Sequence, residues 1–303
     1  MRGAEGGDWH EALARRWFEA YGEWPEFHDW QALDGGRGYR LRGVAGDFYL
    51  KCHRAGHAEY FAAEAAGLEA LAASGEFAVP QPLLHGELGD RAFLLMQYLS
   101  LHGAAVGGNS DAAMAHFGRA LAGLHRQRAE YHGWHRDNSI GGTPQRNTPC
   151  VDWDEFYIEC RLRPQLELLA ASGTAPRRLL DAGERLCAVV PRLLAGHRPM
   201  PSLLHGDLWW GNAGWLADGR PAIVDPATCY GDRETDLSLC ELFGGFSTVM
   251  FAAYREAWPL AEGYPLRREL YQLYHLLNHA NLFGGGYLAR SLHSAERLLA
   301  EAG

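Results

Sequence analysis

Leu203-Leu-His-Gly-Asp-Leu-Trp-Trp-Gly-Asn212, followed by Ile223-Val-Asp225-Pro226, is the stretch on which the reading of the chain turns. Asp207 ends an apolar run that starts at Ser202, and Asn212 follows five residues later. Asp225 ends a second apolar run that starts at Pro221. Between the runs lies Asp218-Gly219, a strong signal for a two-residue hairpin turn. Such a turn sets Leu216 opposite Pro221 and Asn212 opposite Asp225. Pro221 then falls at a non-hydrogen-bonded pair, where its missing N–H breaks no ladder bond. This register brings an amide oxygen and a carboxylate together just downstream of Asp207. Hard oxygen ligands suit Mg²⁺, which takes a few protein groups alongside substrate phosphates. By itself Asp225 reads as a turn residue between two core strands. The constellation gives it a metal role.

A base Asp, an amide ligand and a carboxylate ligand at this spacing are the parts that phosphoryl transfer requires. Protein kinases carry His-Arg-Asp with Asn five positions after the Asp, and His205-Gly206-Asp207 keeps that spacing. Gly206 stands where the Arg would be, so an activation-loop phosphate has no anchor. That points to a small-molecule acceptor.

The chain has 303 residues, 47% of them hydrophobic and 21% charged, which fits a two-lobed globule or two domains. Its net charge of −9 argues against nucleic acid and anionic membranes as partners. The six cysteines include no Cys-x-x-Cys pair and read as free thiols of a reducing compartment, with no structural zinc. The N-terminal residues carry no apolar signal segment, and no apolar run reaches the length of a membrane span. A cytoplasmic location follows as the expectation.

Upstream, Asp8 to Ala20 has the apolar spacing of a helix. Gly35, Gly36 and Gly38 then lie between two strand-like runs, in a loop whose backbone can approach phosphates. By itself a Gly-rich turn reads better as a plain hairpin. Here it is followed by Phe48-Tyr-Leu-Lys51, a strand ending in Lys. The helix predicted over 59–73 has Phe61, Leu68 and Leu71 on its apolar face, and Glu64 falls on that stripe. A carboxylate there is costly unless paired, and Lys51 is its natural partner, as in the Lys–Glu pair of kinases. Arg91 to Leu99 reads as a buried strand running into an inter-lobe hinge. Gln97, Tyr98 and Leu99 are the candidates for meeting adenine, by position alone.

Past the hinge, Ser110 is expected to cap a helix that ends near His125 and has Met114, Phe117, Leu121 and Leu124 inward, and His125 reads as a structural hydrogen bonder. The polar segment Asn138 to Asn147 is too long for a simple connection. Asp152 is expected to cap a helix starting at Trp153, and two more are expected over about 164–172 and 176–195. Asp236, at the start of a helix after Tyr230-Gly231, is expected to brace the catalytic loop. Phe243-Gly-Gly-Phe246 and Asn278-His-Ala-Asn-Leu-Phe-Gly-Gly-Gly-Tyr287 interrupt the helices, where glycines beside aromatics suit close approach of a helix or a small ligand.

Taken together, the chain resembles the fructosamine/ketosamine-3-kinases, within the wider aminoglycoside-phosphotransferase-like kinases. The resemblance rests on His205-Gly-Asp-Leu-Trp-Trp-Gly-Asn212, Val224-Asp-Pro-Ala227, Tyr230-Gly231 with Glu234 and Asp236, and Phe243-Gly-Gly-Phe246. Asn138-x-Ile-Gly-x-Thr-Pro-Gln-x-Asn147, Phe156 with Arg161-Leu-x-Pro-Gln165, and the stretch from Leu276 to Tyr287 match as well. It covers nearly the whole chain from Lys51 on. The family has Gly in many members where Trp210 stands, and His where Leu282 stands.

The resemblance implies an α+β, two-lobed, protein-kinase-like fold: a small sheet-containing N-lobe over 1–98 and a larger, mainly helical C-lobe over 99–303. It implies ATP-dependent phosphorylation of the sugar 3-hydroxyl of ketosamines, such as fructosamine or ribulosamine, on small-molecule or protein-bound amines. The ester formed beside the ketone is unstable and releases the amine, which is deglycation. Asp207 would be the base, Asn212 and Asp225 would hold Mg²⁺, and Lys51 with Glu64 would meet the ATP phosphates. Trp209 would line the sugar pocket, with Trp210, His279 and Phe283 as further substrate candidates. Competing readings are a kinase of the same fold for an aminoglycoside, choline or another hydroxyl, and a non-catalytic nucleotide-binding module. The intact set Lys51, Glu64, Asp207, Asn212 and Asp225 argues against the last.

Overall fold

The computed structural model describes residues 7–33, 38–44, 46–105 and 110–303. The chain forms two compact units. The smaller holds the residues up to Ala73 together with Val79–Ser100, and the larger holds Ser74–Ala78 with Leu101–Gly303. The crossing therefore falls at Ser100/Leu101, two residues beyond the expected boundary, and a short earlier segment belongs to the larger unit. Two contacts explain that segment: Ala78 bridges to Ala222, and Phe77 packs edge-on against Phe117.

The smaller unit starts with helix α1 (Gly7–Tyr21), whose Leu13 and Trp17 are buried. Strands β1 (Asp29–Leu33), β2 (Gly38–Gly43) and β3 (Gly46–Arg54) follow, then helix α2 (Ala58–Ala73), β4 (Pro82–Leu88) and β5 (Arg91–Gln97). All pairings are antiparallel, in the order β1-β2-β3-β5-β4. Alternate residues of β3 point inward, so Phe48, Leu50 and Cys52 join Leu13, Trp17, Leu41, Phe93 and Leu95 in one core. Lys51, between Leu50 and Cys52, is thereby directed to the opposite face.

The larger unit carries α3 (Ser110–His125), the small ribbon β6 (Asn138–Ile140) and β7 (Thr143–Gln145), α4 (Trp153–Tyr157), α5 (Arg163–Ser172) and α6 (Arg177–Leu193). A π-helical turn, Ile158–Leu162, joins α4 to α5. Next come β8 (Ser202–Leu204), β9 (Ala213–Trp215), β10 (Pro221–Ile223) and β11 (Cys229–Gly231), then α7 (Glu234–Leu242), α8 (Thr248–Ala257), α9 (Tyr264–Phe283) and α10 (Gly286–Glu301). The core joins the inner faces of α5, α6, α9 and α10, with Leu169, Val190, Leu270 and Leu298 fully buried. Each such side chain contributes about 1.5–3 kcal/mol by leaving water. Asp152 occupies the position before α4 but makes no side-chain capping bond, contrary to expectation. The helix of 264–283 runs unbroken through Asn278, and the interruption is confined to Gly284-Gly285, both at positive φ. Among the described residues no helix is long and apolar enough to cross a membrane.

Candidate active site

Strand β8 is buried at all three positions and pairs antiparallel with β11, Leu204 opposite Cys229. It delivers His205, Gly206 and Asp207 to its open end. His205 is fully buried, and its main-chain oxygen accepts the Ala227 N–H at 2.9 Å. Its ring partners fix the tautomer: Nε2–H donates to Val224 O at 2.9 Å, and Nδ1 accepts the Asp207 N–H at 3.2 Å. Burial pushes its pKa down, so the neutral ring persists at neutral pH. His205 thus ties the residue before Asp225 to the backbone of Asp207, a role that its place in the motif did not reveal.

Gly206 sits at φ +83°, and a Cβ there would collide with Ala227 O. Only glycine fits, which is the physical reason no Arg stands at this position. Asp236, the third residue of α7, accepts the Gly206 N–H at 2.9 Å and the His205 N–H at 2.8 Å. On its other side His125 approaches the same carboxylate at 3.2 Å while contacting Tyr254 Oη at 2.8 Å. Asp236 does brace the loop, and His125 is structural.

The structure brings Asp207, Asn212 and Asp225 together. Asn212 Nδ2 donates to Asp207 O at 2.9 Å and Oδ2 at 3.3 Å, and to Asp225 O at 3.4 Å. The described hydrogen bonds of the Asn212 side chain all use the amide nitrogen. The hairpin register differs from expectation by one residue: Trp215 faces Pro221 and Ala213 faces Ile223. The loop has three residues, Ala217–Gly219, with Gly219 at φ +83° and Leu216 N–H bonding Arg220 O at 2.9 Å. Asn212 consequently lies opposite Val224, whose N–H bonds Asn212 O at 3.0 Å, and Asp225 follows at φ +57°, a left-handed conformation that non-glycine residues adopt at a cost. That turn re-aims the carboxylate after the ladder has ended.

In the smaller unit, Lys51 Nζ donates to Glu64 Oε1 at 2.6 Å, the pair read from the helix stripe. Gly38 opens β2 directly opposite Lys51, while Gly35 and Gly36 lie outside the described residues. After β5, the Gln97 and Tyr98 N–H groups donate to Gln81 O and Asp47 O, at 2.9 and 3.0 Å. Leu99 has no described hydrogen bond on its N–H.

Trp209 is 41% exposed, with its ring over the position a Cβ of Gly211 would occupy. Trp210 turns the other way, onto Gly245, Phe246 (5.4 Å between ring centroids) and Trp215 (5.8 Å). His279 and Phe283 meet each other on α9, centroids 5.5 Å apart.

The polar segment 138–147 is a buried brace for the residues after Asp225. Asn138 donates to Thr228 O at 2.9 Å and Gln145 to Ala227 O at 3.1 Å, while Arg161 holds Asn147 Oδ1 at 2.9 Å. Its length, its polarity and its match to the family pattern marked this stretch, but none of them indicated a brace. His197, Asp232 and Glu234 also cluster, with ligand-type atoms within 4.8 Å of one another. Asp232 Oδ2 lies 2.6 Å from both His197 Nε2 and Tyr271 Oη, and Arg267 grips Glu234 through two bonds. Ligand atoms on a tetrahedral metal at about 2.0–2.2 Å stand more than 3 Å apart. The 2.6 Å contact is a hydrogen bond, and the cluster is a buried ion-pair network.

A five-stranded antiparallel sheet carrying a Lys–Glu pair, with a mainly helical unit carrying Asp207 beside Asn212 and Asp225, defines an ATP-dependent phosphotransferase of protein-kinase-like fold. The fold is shared with a choline kinase from Streptococcus pneumoniae, at TM-score 0.65 and 13% identity over 97% of this chain and 99% of that one. The chain belongs to the fructosamine kinase family, whose model matches residues 10–301. It is 39% identical over 284 residues to a probable ketoamine kinase of Synechocystis sp., covering 91% of this chain and 92% of the relative. It is 38% identical over 253 residues to the chloroplastic protein-ribulosamine 3-kinase of Arabidopsis thaliana, covering 82% and 74%. The crystal structure of a candidate fructosamine-3-kinase from Haemophilus somnus superposes at TM-score 0.86 with 26% identity, covering 97% and 98%.

Proposed function

We propose that this kinase transfers the γ-phosphoryl group of ATP to the sugar 3-hydroxyl of ketosamines on amines. The observation that carries the reading is the Asp207–Asn212–Asp225 cluster, in a chain whose relatives are named ketoamine and ribulosamine kinases. Asp207 orients the acceptor hydroxyl and takes its proton as the oxygen attacks the γ-phosphorus and ADP leaves. Such transfer draws mainly on positioning and charge neutralisation.

The donor set suits Mg²⁺: the Asn212 Oδ1 and the Asp225 carboxylate are hard oxygen ligands, and the amide nitrogen is already committed to Asp207. Mg²⁺, when bound, neutralises charge on the phosphate oxygens. Lys51, oriented by Glu64, meets the ATP phosphates, and Leu99 offers its main chain to the base. Trp209 gives the sugar an exposed aromatic face.

The test is ATP consumption with fructosyl-lysine, ribulosyl-lysine, an aminoglycoside and choline. The expected result is turnover with the ketosamines, abolished in Asp207→Asn while ATP still binds. Turnover with choline or the aminoglycoside alone overturns the substrate assignment, and near-wild-type ketosamine turnover by the variant overturns the role of Asp207.

A further inference from the structure

Beside Ser202, at the start of β8, the larger unit holds a cavity of about 370 Å³. Pockets for small ligands run from about 300 to 1,000 Å³. Pro199, Met200, Trp258 and Ala261 give this one an apolar wall, and its charged lining is His197, Arg198, Asp232, Arg233 and Glu234. The two carboxylates are already spent. Asp232 Oδ2 is held by His197 and Tyr271, its Oδ1 accepts the Glu234 N–H at 3.0 Å, and both oxygens of Glu234 are taken by Arg267.

The guanidinium groups are not. Arg198 gives one bond, to His197 O at 3.4 Å. Arg233 bonds Tyr254 Oη, Trp258 O and Pro259 O, through its two terminal nitrogens. Every one of these acceptors is a neutral oxygen, so neither positive charge is answered by them. Arg233 also lies over the Trp258 ring at 4.1 Å, and Arg128 and Arg126 approach the same ring at 5.7 and 5.8 Å. In a chain of net charge −9, four arginines thus gather around one indole and the cavity it lines.

We propose that this cavity is a binding site for a small organic anion, with its carboxylate or phosphate head on Arg198 and Arg233 and its apolar body against Trp258. The planar guanidinium fork matches the oxygens of either head group. The indole and its apolar neighbours cover a body that inorganic ions lack. The site stands behind the catalytic residues: β8 runs from Ser202 in its wall toward His205, and α7 runs from Glu234 to Asp236, which holds the loop before Asp207. It does not depend on which acceptor the kinase phosphorylates.

Isothermal titration with benzoate, phenyl phosphate and inorganic phosphate tests this, with the nucleotide site filled by Mg²⁺ and a non-hydrolysable ATP analogue. One organic anion is expected to bind at one site per chain, and the tighter of the two tells a carboxylate site from a phosphate site. Inorganic phosphate is expected to bind about tenfold more weakly, having no apolar body to bury. Arg198 and Ala261 are both exposed. Arg198→Glu and Ala261→Glu therefore place a like charge at the cavity without disturbing the core, and each should weaken the organic anion about tenfold or more at unchanged melting temperature and kcat. Binding that survives both substitutions, or no binding of either organic anion at about 10 mM, overturns the site. Inorganic phosphate binding as tightly as phenyl phosphate overturns the part given to Trp258.

Discussion

The Asp236 carboxylate grips Gly206 by its backbone, Oδ1 to N–H at 2.9 Å, while its Oδ2 takes the neighbouring His205 N–H at 2.8 Å. Two consecutive main-chain donors of the loop before Asp207 therefore end on one buried anion from α7. Charge-assisted bonds of this kind are about twice as strong as neutral ones. They fix the peptide planes from which Asp207 departs, although Asp236 itself need touch no substrate.

Replacing that anion should be felt first in kcat. In Asp236→Asn one side-chain oxygen becomes an N–H₂ donor facing either a backbone donor or His125. We expect stability to fall by about 2–4 kcal/mol and kcat by at least tenfold, with little change in KM for the acceptor. Urea unfolding and steady-state kinetics read the two effects. A variant with wild-type kcat would remove Asp236 from the positioning of the loop.

Gly206→Ala tests the same loop from the other side. The added methyl collides with Ala227 O and must accept φ +83°. The strain is about 1–3 kcal/mol, and a displacement near 1 Å at Asp207 costs about a hundredfold in rate. The expected variant is folded and binds ATP, yet its kcat is down about a hundredfold. Activity within threefold of wild type would show that the loop tolerates the side chain.

Much of this site was legible because its signals are local. Glu64 stood out as a carboxylate on an apolar helical stripe, and the structure supplies Lys51 at 2.6 Å. The Asp207–Asn212 spacing likewise survives intact. Where the reading slipped, the deciding interaction was small or distant. Asp218-Gly219 is compatible with a two-residue or a three-residue loop; Gly219 takes a positive φ in either, and because Asp218 stays out of the left-handed region the three-residue loop forms and every cross-strand pair shifts by one. Asp152 has the residue type of a cap without making the bond, since the preference is statistical. The bracing by Asn138, Gln145 and Arg161 joins residues tens of positions apart, and no periodicity announces it.

Lys51→Met should weaken both nucleotide handling and the fold, to different degrees. The Lys51 and Glu64 side chains are only 18% and 17% exposed. Removing the cation takes this partner from a largely buried carboxylate, which costs about 1–3 kcal/mol of stability. A preorganised cation on a transferring phosphoryl group is worth far more, and losing one such group costs about a hundredfold or more. The expected outcome is a fall of that size in kcat/KM for ATP, measured at a temperature where the variant, with its lowered melting temperature, is still fully folded. Glu64→Gln, which keeps the cation and loosens its aim, should cost about tenfold. A wild-type kcat/KM for ATP in Lys51→Met would exclude Lys51 from the phosphate contact.

Stability should decline with acid well before the carboxylates titrate. His275 is buried, its Nδ1 has no described hydrogen-bond partner, and burial pushes its pKa down to about 3. His132 is pushed down to about 4 for the same reason. Both folded values lie below the unfolded value of about 6.5. As pH falls, the unfolded chain therefore takes up protons first, and the folded state loses ground from about 6.5 downward until the folded pKa is reached. At pH 5, His275 alone removes about 2 kcal/mol relative to pH 7.5. Asp236 does not confuse this window. Burial acts to raise its carboxyl, but the His125 and Gly206 hydrogen bonds hold it below the usual range, so its contribution is lost only at lower pH. Urea midpoints at pH 7.5, 6 and 5 should fall steadily, and His275→Gln should flatten the decline by about 2 kcal/mol whatever it does to the stability at pH 7.5. Equal stabilities at pH 7.5 and pH 5 would mean that these imidazoles are protonated within the fold.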